Sequence, residues 1–102
     1  GGGAAYTAAK HGIIGYTKQL AYDYADKGIR VNCIAPGAIN TPMNAADFAG
    51  DGAMAKEVAR FTPAKRWAKP KEVAEMTLYL ASPRADYVHG TVFTIDGGWT
   101  VK

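Results

Sequence analysis

The sequence predicts an α/β protein built on parallel strands, and three observations carry that prediction. Two short runs rich in β-branched and aromatic residues, 29–35 (IRVNCIA) and 91–95 (TVFTI), are each closed by a turn signal. A helical pattern over 70–81 lies between them, and a strand–helix–strand order makes a right-handed unit with parallel strands. The first run is apolar on nearly both faces, as a parallel strand covered on both sides must be.

Along the chain, 4–27 is expected to form one long helix. Ile13, Tyr16, Leu20 and Tyr24 recur every three or four residues as an apolar stripe, and Ala5, Ala8, Gly12 and Gly15 form a second stripe of small residues. Two packing faces point to a buried or interface helix. Lys27 and Gly28 supply a basic last turn and a glycine stop. The strand 29–35 ends at Pro36-Gly37, and a loop runs to about Pro42. The stretch 43–69 is alanine-rich and interrupted by Gly50, Gly52 and Pro63, so one or two short helices are expected there. It reads either as a mobile lid or as an ordinary surface hairpin of helices. Pro70 opens the next helix with Glu72 in its first turn. Val73, Met76 and Leu80, with Thr77 and Ala81 beside them, form its inward stripe, and Ser82-Pro83 stops it.

With 102 residues, the chain suits one small domain with a modest core, and 48% hydrophobic content argues against disorder. The net charge of +3 is spread along the chain. Its densest group, Lys65, Arg66, Lys69 and Lys71, falls short of a nucleic-acid footprint, and a solvated loop is its expected home. No nucleic-acid partner is expected. Cys33 is the sole cysteine and excludes an intrachain disulfide. It reads as a small buried thiol. His11 and His89 lack partners at ligand spacing, so no metal is expected. No apolar run is long enough to span a bilayer and no leader is seen, so no membrane partner and a cytoplasmic location are expected.

The chemistry concentrates in two places. Tyr6 and Lys10 stand one helical turn apart on one face. An ammonium there favours the charged form of a phenol, which suits it to exchange a proton with a carbonyl or alcohol oxygen. That spacing alone is common, and its weight comes from its surroundings. The loop PGAINTPM leaves the C-terminal end of the first strand, where open α/β sheets bind ligands. Ile39 can present its backbone N–H and C=O to a carboxamide, and Thr41 a hydroxyl to a phosphate or amide. A plain strand-to-loop turn is the alternative reading.

Tyr6-x-x-x-Lys10, RVNCIAPGAINTPM, KPKEVAEMTLYLAS and VFTIDGGW, in this order and spacing, resemble the C-terminal part of a short-chain dehydrogenase/reductase. Within that family the likeness is greatest to 3-oxoacyl-thioester reductases and to sugar or polyol dehydrogenases. The resemblance covers nearly the whole chain. It implies that 1–102 is the C-terminal portion of a Rossmann-type doubly wound parallel sheet, with 43–69 as a substrate-loop insertion. It implies NAD or NADP as cofactor and a small carbonyl or alcohol substrate. By the same likeness, Tyr6 is the acid/base, and Lys10 lowers the phenol's pKa and holds the nicotinamide ribose. Pro36, Gly37 and Ile39 line the nicotinamide, with Ile39 gripping its carboxamide. Thr41 contacts the carboxamide or pyrophosphate, and Met43 begins the substrate loop. Asp96-Gly97-Gly98 shapes a turn.

The departures matter equally. The family's strand, glycine-rich turn and helix for the pyrophosphate are missing, and Gly1-Gly2-Gly3 does not meet the Gly-x-Gly-x-x-Gly spacing. The family's serine, about a dozen positions before its tyrosine, would precede Gly1, and its active-site asparagine is absent too. Ala68 stands where relatives often carry glycine. The isolated 102 residues are therefore expected to be inactive, with one sheet edge left unpaired. The family's long helix and its last helix and strand form dimer and tetramer interfaces, so a homo-oligomer is expected. A truncated, non-catalytic oligomerisation module is the competing reading.

Overall fold

A computed structural model describes residues 3–101 of the chain. In order these are helix α1 (Gly3–Tyr24), a 3₁₀ turn (Ala25–Lys27), strand β1 (Cys33–Pro36), 3₁₀ turns over Pro42–Phe48, helix α2 (Ala53–Phe61), helix α3 (Pro70–Ala81), a 3₁₀ turn (Pro83–Ala85), strand β2 (Val92–Ile95) and a final 3₁₀ turn (Trp99–Val101). β1 and β2 pair as a two-stranded sheet. Cys33 N–H donates to Thr91 O at 3.0 Å and Gly37 N–H to Ile95 O at 2.8 Å. The register advances by four residues on both strands, so the pair is parallel, as the strand–helix–strand order requires. Among the described residues, no helix is long and apolar enough to cross a membrane.

The described residues group into two compact units, one of residues up to 34 with 79–93, the other of 35–78 with those from 94 onward. In the first, α1 stops one turn earlier than the sequence reading placed it, and the glycine stop explains how. Gly28 adopts φ 79°, Ile29 N–H donates to Tyr24 O, and Gly28 N–H to Ala25 O, each at 3.2 Å. This paired 6→1 and 5→2 arrangement is the Schellman closure that a left-handed glycine permits.

The inward face of α1 differs from the predicted stripe. Thr17 and Ala21 are buried and Ile14 and Leu20 half-buried, whereas Ile13, Tyr16 and Tyr24 are exposed. Close approach decides this. The turn at Gly90 (φ 71°) comes so near that an added Cβ would sit 3.1 Å from Ala21 Cβ, and only small side chains admit it. The stripe of Ala5, Ala8, Gly12 and Gly15 is exposed as well.

The strand is also shorter than predicted at its start, where side chains supplement the backbone bond from Gly90 N–H to Val31 O at 2.8 Å. Asn32 Nδ2 donates to Val88 O at 2.9 Å while its Oδ1 accepts from Thr91 N–H at 3.1 Å. Arg30 reaches across to three carbonyls, Leu80 and Ala85 through Nη1 (2.8 and 2.9 Å) and Ser82 through Nη2 (3.1 Å). It thereby serves the Leu80 acceptor at the end of α3 and adds a second donor to the Ser82 and Ala85 carbonyls, which also accept from Ala85 N–H and Val88 N–H.

The second unit is folded around the 43–69 segment, which forms two short helical pieces as expected. α2 follows Gly52 in the left-handed region (φ 74°), with Asp51 Oδ1 accepting from Ala53 N–H at 3.0 Å. Trp67 ties the segment together. Its ring lies 4.8 Å from that of Phe48, and its Nε1 donates to Ala55 O at 2.9 Å. On α3, Val73, Met76 and Leu80 are the more sheltered positions, as predicted, but Thr77 and Ala81 are exposed. Among the described residues no large side chain is fully buried, and the core consists of Ala21, Ile39, Ala55, Ala85, Thr17 and Thr62.

Arg30→Ala removes a guanidinium shared by three carbonyls, of which Ser82 O and Ala85 O keep a backbone donor from Ala85 N–H and Val88 N–H. It is expected to lower the stability of the folded protein by about 2 kcal/mol in urea unfolding, with Arg30→Lys recovering little because one ammonium cannot span the same three acceptors.

Candidate active site

Tyr6 and Lys10 lie together in the first unit. The regular geometry of α1 carries Lys10 Nζ over the Tyr6 ring, 5.0 Å from its centroid, so both side chains occupy one face as the i, i+4 spacing requires. The ring is half exposed at 53% and accessible to a reacting molecule. One residue further, His11 Nδ1 is 2.9 Å from Thr7 O, which holds its ring on its own helix.

Pro36, the last residue of β1, and Gly37, Ile39 and Thr41, on the segment that leaves it, lie in the second unit. Gly37 is dictated by a backbone neighbour. An added Cβ would lie 2.7 Å from Asp96 Cβ and 2.8 Å from Asp96 Cα, closer than atoms pack. Asp96 in turn closes the last turn of the chain. Its Oδ1 accepts from Gly98 N–H at 3.0 Å, and its Oδ2 from Thr100 N–H at 3.0 Å and Thr100 Oγ1 at 2.8 Å. Led by the Thr100 hydroxyl, these donors hold its carboxyl below the usual aspartate range. Gly97 and Gly98 take φ 63° and 90°, which side-chain-bearing residues adopt rarely. Asp96-Gly97-Gly98 therefore forms the turn that the sequence anticipated.

Ile39 is buried at 8% exposure. Its position is set by a parallel bridge to Ala68, in which Asn40 N–H donates to Ala68 O at 2.9 Å and Ala68 N–H to Ala38 O at 3.0 Å. The bridge pins both ends of the 43–69 segment side by side. Ala68 takes part in the bridge through its backbone. Thr41 precedes the turns over Pro42–Phe48 in an extended conformation and accepts from Asn44 N–H through its carbonyl at 2.9 Å. Asn44 Nδ2 donates to Ile39 O at 2.8 Å and lies 3.4 Å from Thr41 Oγ1. Asn44 was not among the residues expected from the sequence. The only signal for it is a polar amide three residues after Thr41 at the start of a proline-led turn.

The basic cluster is partly neutralised. Arg66 makes a two-pronged contact with Glu72, at 2.9 and 2.7 Å, and Glu72 Oε2 also accepts from Lys69 N–H at 2.7 Å, closing the N-terminus of α3. The Arg66 guanidinium first, and the Lys69 N–H second, bring the Glu72 carboxyl down to about 2. Ala38, Thr62, Arg66, Glu72 and Asp96 line a shallow cleft in this unit. The arrangement offers backbone donors and acceptors at a strand's C-terminal end in one unit, and a phenol–ammonium pair in the other.

A family model described as enoyl-(acyl carrier protein) reductase matches residues 1–100. Among curated proteins, 3beta-hydroxysteroid dehydrogenase 1 of Eggerthella lenta is 49% identical over 98 residues, a stretch covering 96% of this chain and 37% of that protein. Short-chain dehydrogenase anuF of Penicillium roqueforti is 41% identical, over 95% of this chain and 35% of its own length. The chain thus spans just over a third of these relatives. A 4-hydroxyisoleucine dehydrogenase complexed with NADH superposes with a TM-score of 0.90 at 37% identity, covering 96% of this chain and 40% of that one. An Agrobacterium tumefaciens structure with bound NADP, provisionally described as a 2-deoxy-d-gluconate 3-dehydrogenase, gives a TM-score of 0.87 at 47% identity over 95% of this chain and 39% of that one.

Gly37→Ala forces its methyl into the Asp96 backbone and is expected to lower stability by about 1–3 kcal/mol, measured by chemical denaturation. For Glu72 the folded pKa lies below its ordinary value of 4.5. Its contribution is therefore complete above that value and lost as pH falls toward about 2. Unfolding curves of the unmodified protein and of Glu72→Gln are expected to converge across this interval.

Proposed function

The chain belongs to the short-chain dehydrogenase/reductase family, and on that premise we propose that it contributes the proton-transfer pair and the carboxamide-binding loop of an NAD- or NADP-dependent oxidoreductase interconverting a carbonyl and an alcohol. The observation that carries the proposal is the placement of Lys10 over the ring of Tyr6. In reduction, the Tyr6 hydroxyl gives its proton to the substrate oxygen; in oxidation, the phenolate takes it back. The Lys10 ammonium stabilises the negative charge left on the phenol oxygen and offers donors to the ribose hydroxyls.

The residues of the second unit fit a nicotinamide. A nicotinamide cofactor, when bound, supplies the hydride chemistry that no side chain can. Pro36 and Gly37 would flank its ring, Ile39 would hold its carboxamide through the backbone, and Thr41 would bind the carboxamide or the pyrophosphate. Support comes from within the chain: the Asn44 carboxamide donates to the Ile39 carbonyl, so an amide N–H reaches this acceptor. Solved relatives with NADH and with NADP bound support the choice of cofactor. The 43–69 segment, with Met43 at 92% exposure near its start, would close over a small carbonyl or alcohol substrate.

A second reading concerns assembly. Ile13 and Tyr16 on α1 are 56% and 67% exposed, and nothing lies within 4 Å of a Cβ built at Gly12 or Gly15. This face would pair with a second copy in a dimer or tetramer, and by itself makes the chain an oligomerisation module; sedimentation of Gly12→Leu against the unmodified protein tests it, with loss of self-association expected.

Tyr6→Phe in the protein at its full cellular length is expected to reduce turnover by about 10²–10⁴-fold while leaving the unfolding midpoint in place. Turnover within a few-fold of the unmodified enzyme would reject the assignment.

A further inference from the structure

The acceptor assigned above to a bound carboxamide already carries one. Asn44 Nδ2 donates to Ile39 O at 2.8 Å and approaches Thr41 Oγ1 at 3.4 Å, so one side chain meets both groups that the proposed function gives to the ligand. An asparagine amide and the carboxamide of nicotinamide present the same planar NH₂ donor. The placement of Asn44 is supported by its backbone. It sits at the kink between the two 3₁₀ turns (φ −101°, ψ 18°), with its own N–H on Thr41 O at 2.9 Å. Ile39 is buried, so a carbonyl left bare there would be costly in the ligand-free protein.

We infer that Asn44 is a placeholder for the cofactor carboxamide: its side chain satisfies the Ile39 carbonyl when the cofactor is absent and is displaced when the carboxamide arrives. The inference rests on the assignment of Ile39 as the carboxamide acceptor. Two consequences follow. Exchange of one amide donor for another is close to neutral, so the contact orients the ring while contributing little net affinity. Displacement also detaches Asn44 from the loop beneath it and loosens the turn that begins the 43–69 segment, coupling cofactor seating to the mobility of that segment.

The test compares two dinucleotides, the nicotinamide form (NADH or NADPH, whichever binds tighter) and its 3-acetylpyridine analogue, whose methyl ketone has no N–H to donate. Dissociation constants are measured by calorimetry for the protein at its full cellular length and for Asn44→Ala. Asn44→Leu, similar in outline and also without a donor, serves if the alanine variant fails to fold. A displaced placeholder predicts near-equal affinities in the unmodified protein. In the variant the nicotinamide form should bind about three- to tenfold more tightly than before, with the analogue unchanged. Equal preference for the nicotinamide form in both proteins would mean that the carbonyl accepts both donors at once, overturning the placeholder while leaving the Ile39 assignment standing. Lack of preference in both proteins would remove the Ile39 assignment and the inference with it.

Discussion

Gly37 and Asp96 meet backbone to backbone at the C-terminal ends of the two strands, with no space for a methyl group between them. Much of the second unit depends on that approach. It lets Gly37 N–H reach Ile95 O and keeps the parallel register to the end of β1. It places Asp96 where its carboxylate can gather Gly98 and Thr100 into the final turn. Gly97 and Gly98 then fit against Thr62 and Pro63, where an added Cβ would lie 2.9 Å from Thr62 Cγ2 and 3.0 Å from Pro63 Cβ. Ala64 N–H on Gly97 O, at 2.9 Å, ties the far end of the helical insertion to the same turn. At Gly37 the neighbour is main chain, which leaves no place for a methyl group, whereas Gly97 and Gly98 meet the side chains of Thr62, Ala64 and Pro63 and also take positive φ.

Polar side chains perform the work elsewhere that a larger sheet would give to backbone. Asn32 fills one gap in the ladder with a donor and an acceptor, and Arg30 caps three carbonyls at once. Each satisfies part-buried groups that would otherwise destabilise the fold. Among the described residues, the buried positions are alanines, threonines and one isoleucine.

On the proposed reading, the two halves of the chemistry have different physical origins. The proton-transfer pair is local: one helical turn sets the distance between Tyr6 and Lys10, independent of the rest of the chain. The carboxamide acceptor is a product of long-range pairing, since Ile39 is positioned by the bridge to Ala68 and its carbonyl is met by Asn44. The same loop thus holds its acceptor ready and covered, a way of keeping a buried polar group satisfied between ligands.

What the sequence determined by itself is what local backbone geometry dictates. The 3.6-residue period placed Tyr6 and Lys10 on one face, Gly28 marked the close of the 3₁₀ turn that follows α1, Glu72 marked the first turn of α3, and the strand–helix–strand order required parallel pairing. The tertiary structure alone decided which face of α1 turns inward, because the choice of Thr17 and Ala21 over Ile13 and Tyr16 depends on the close approach of Gly90, far away in the chain. It alone revealed Arg30 and Asn32, whose partners lie 50 to 59 residues away. Asn44 escaped for a different reason. It is close in sequence to Ile39, but its contact depends on a kinked turn whose dihedral angles no periodic pattern encodes. Periodicity reports the direction in which a side chain leaves its own element, and only the folded chain supplies the group that it meets.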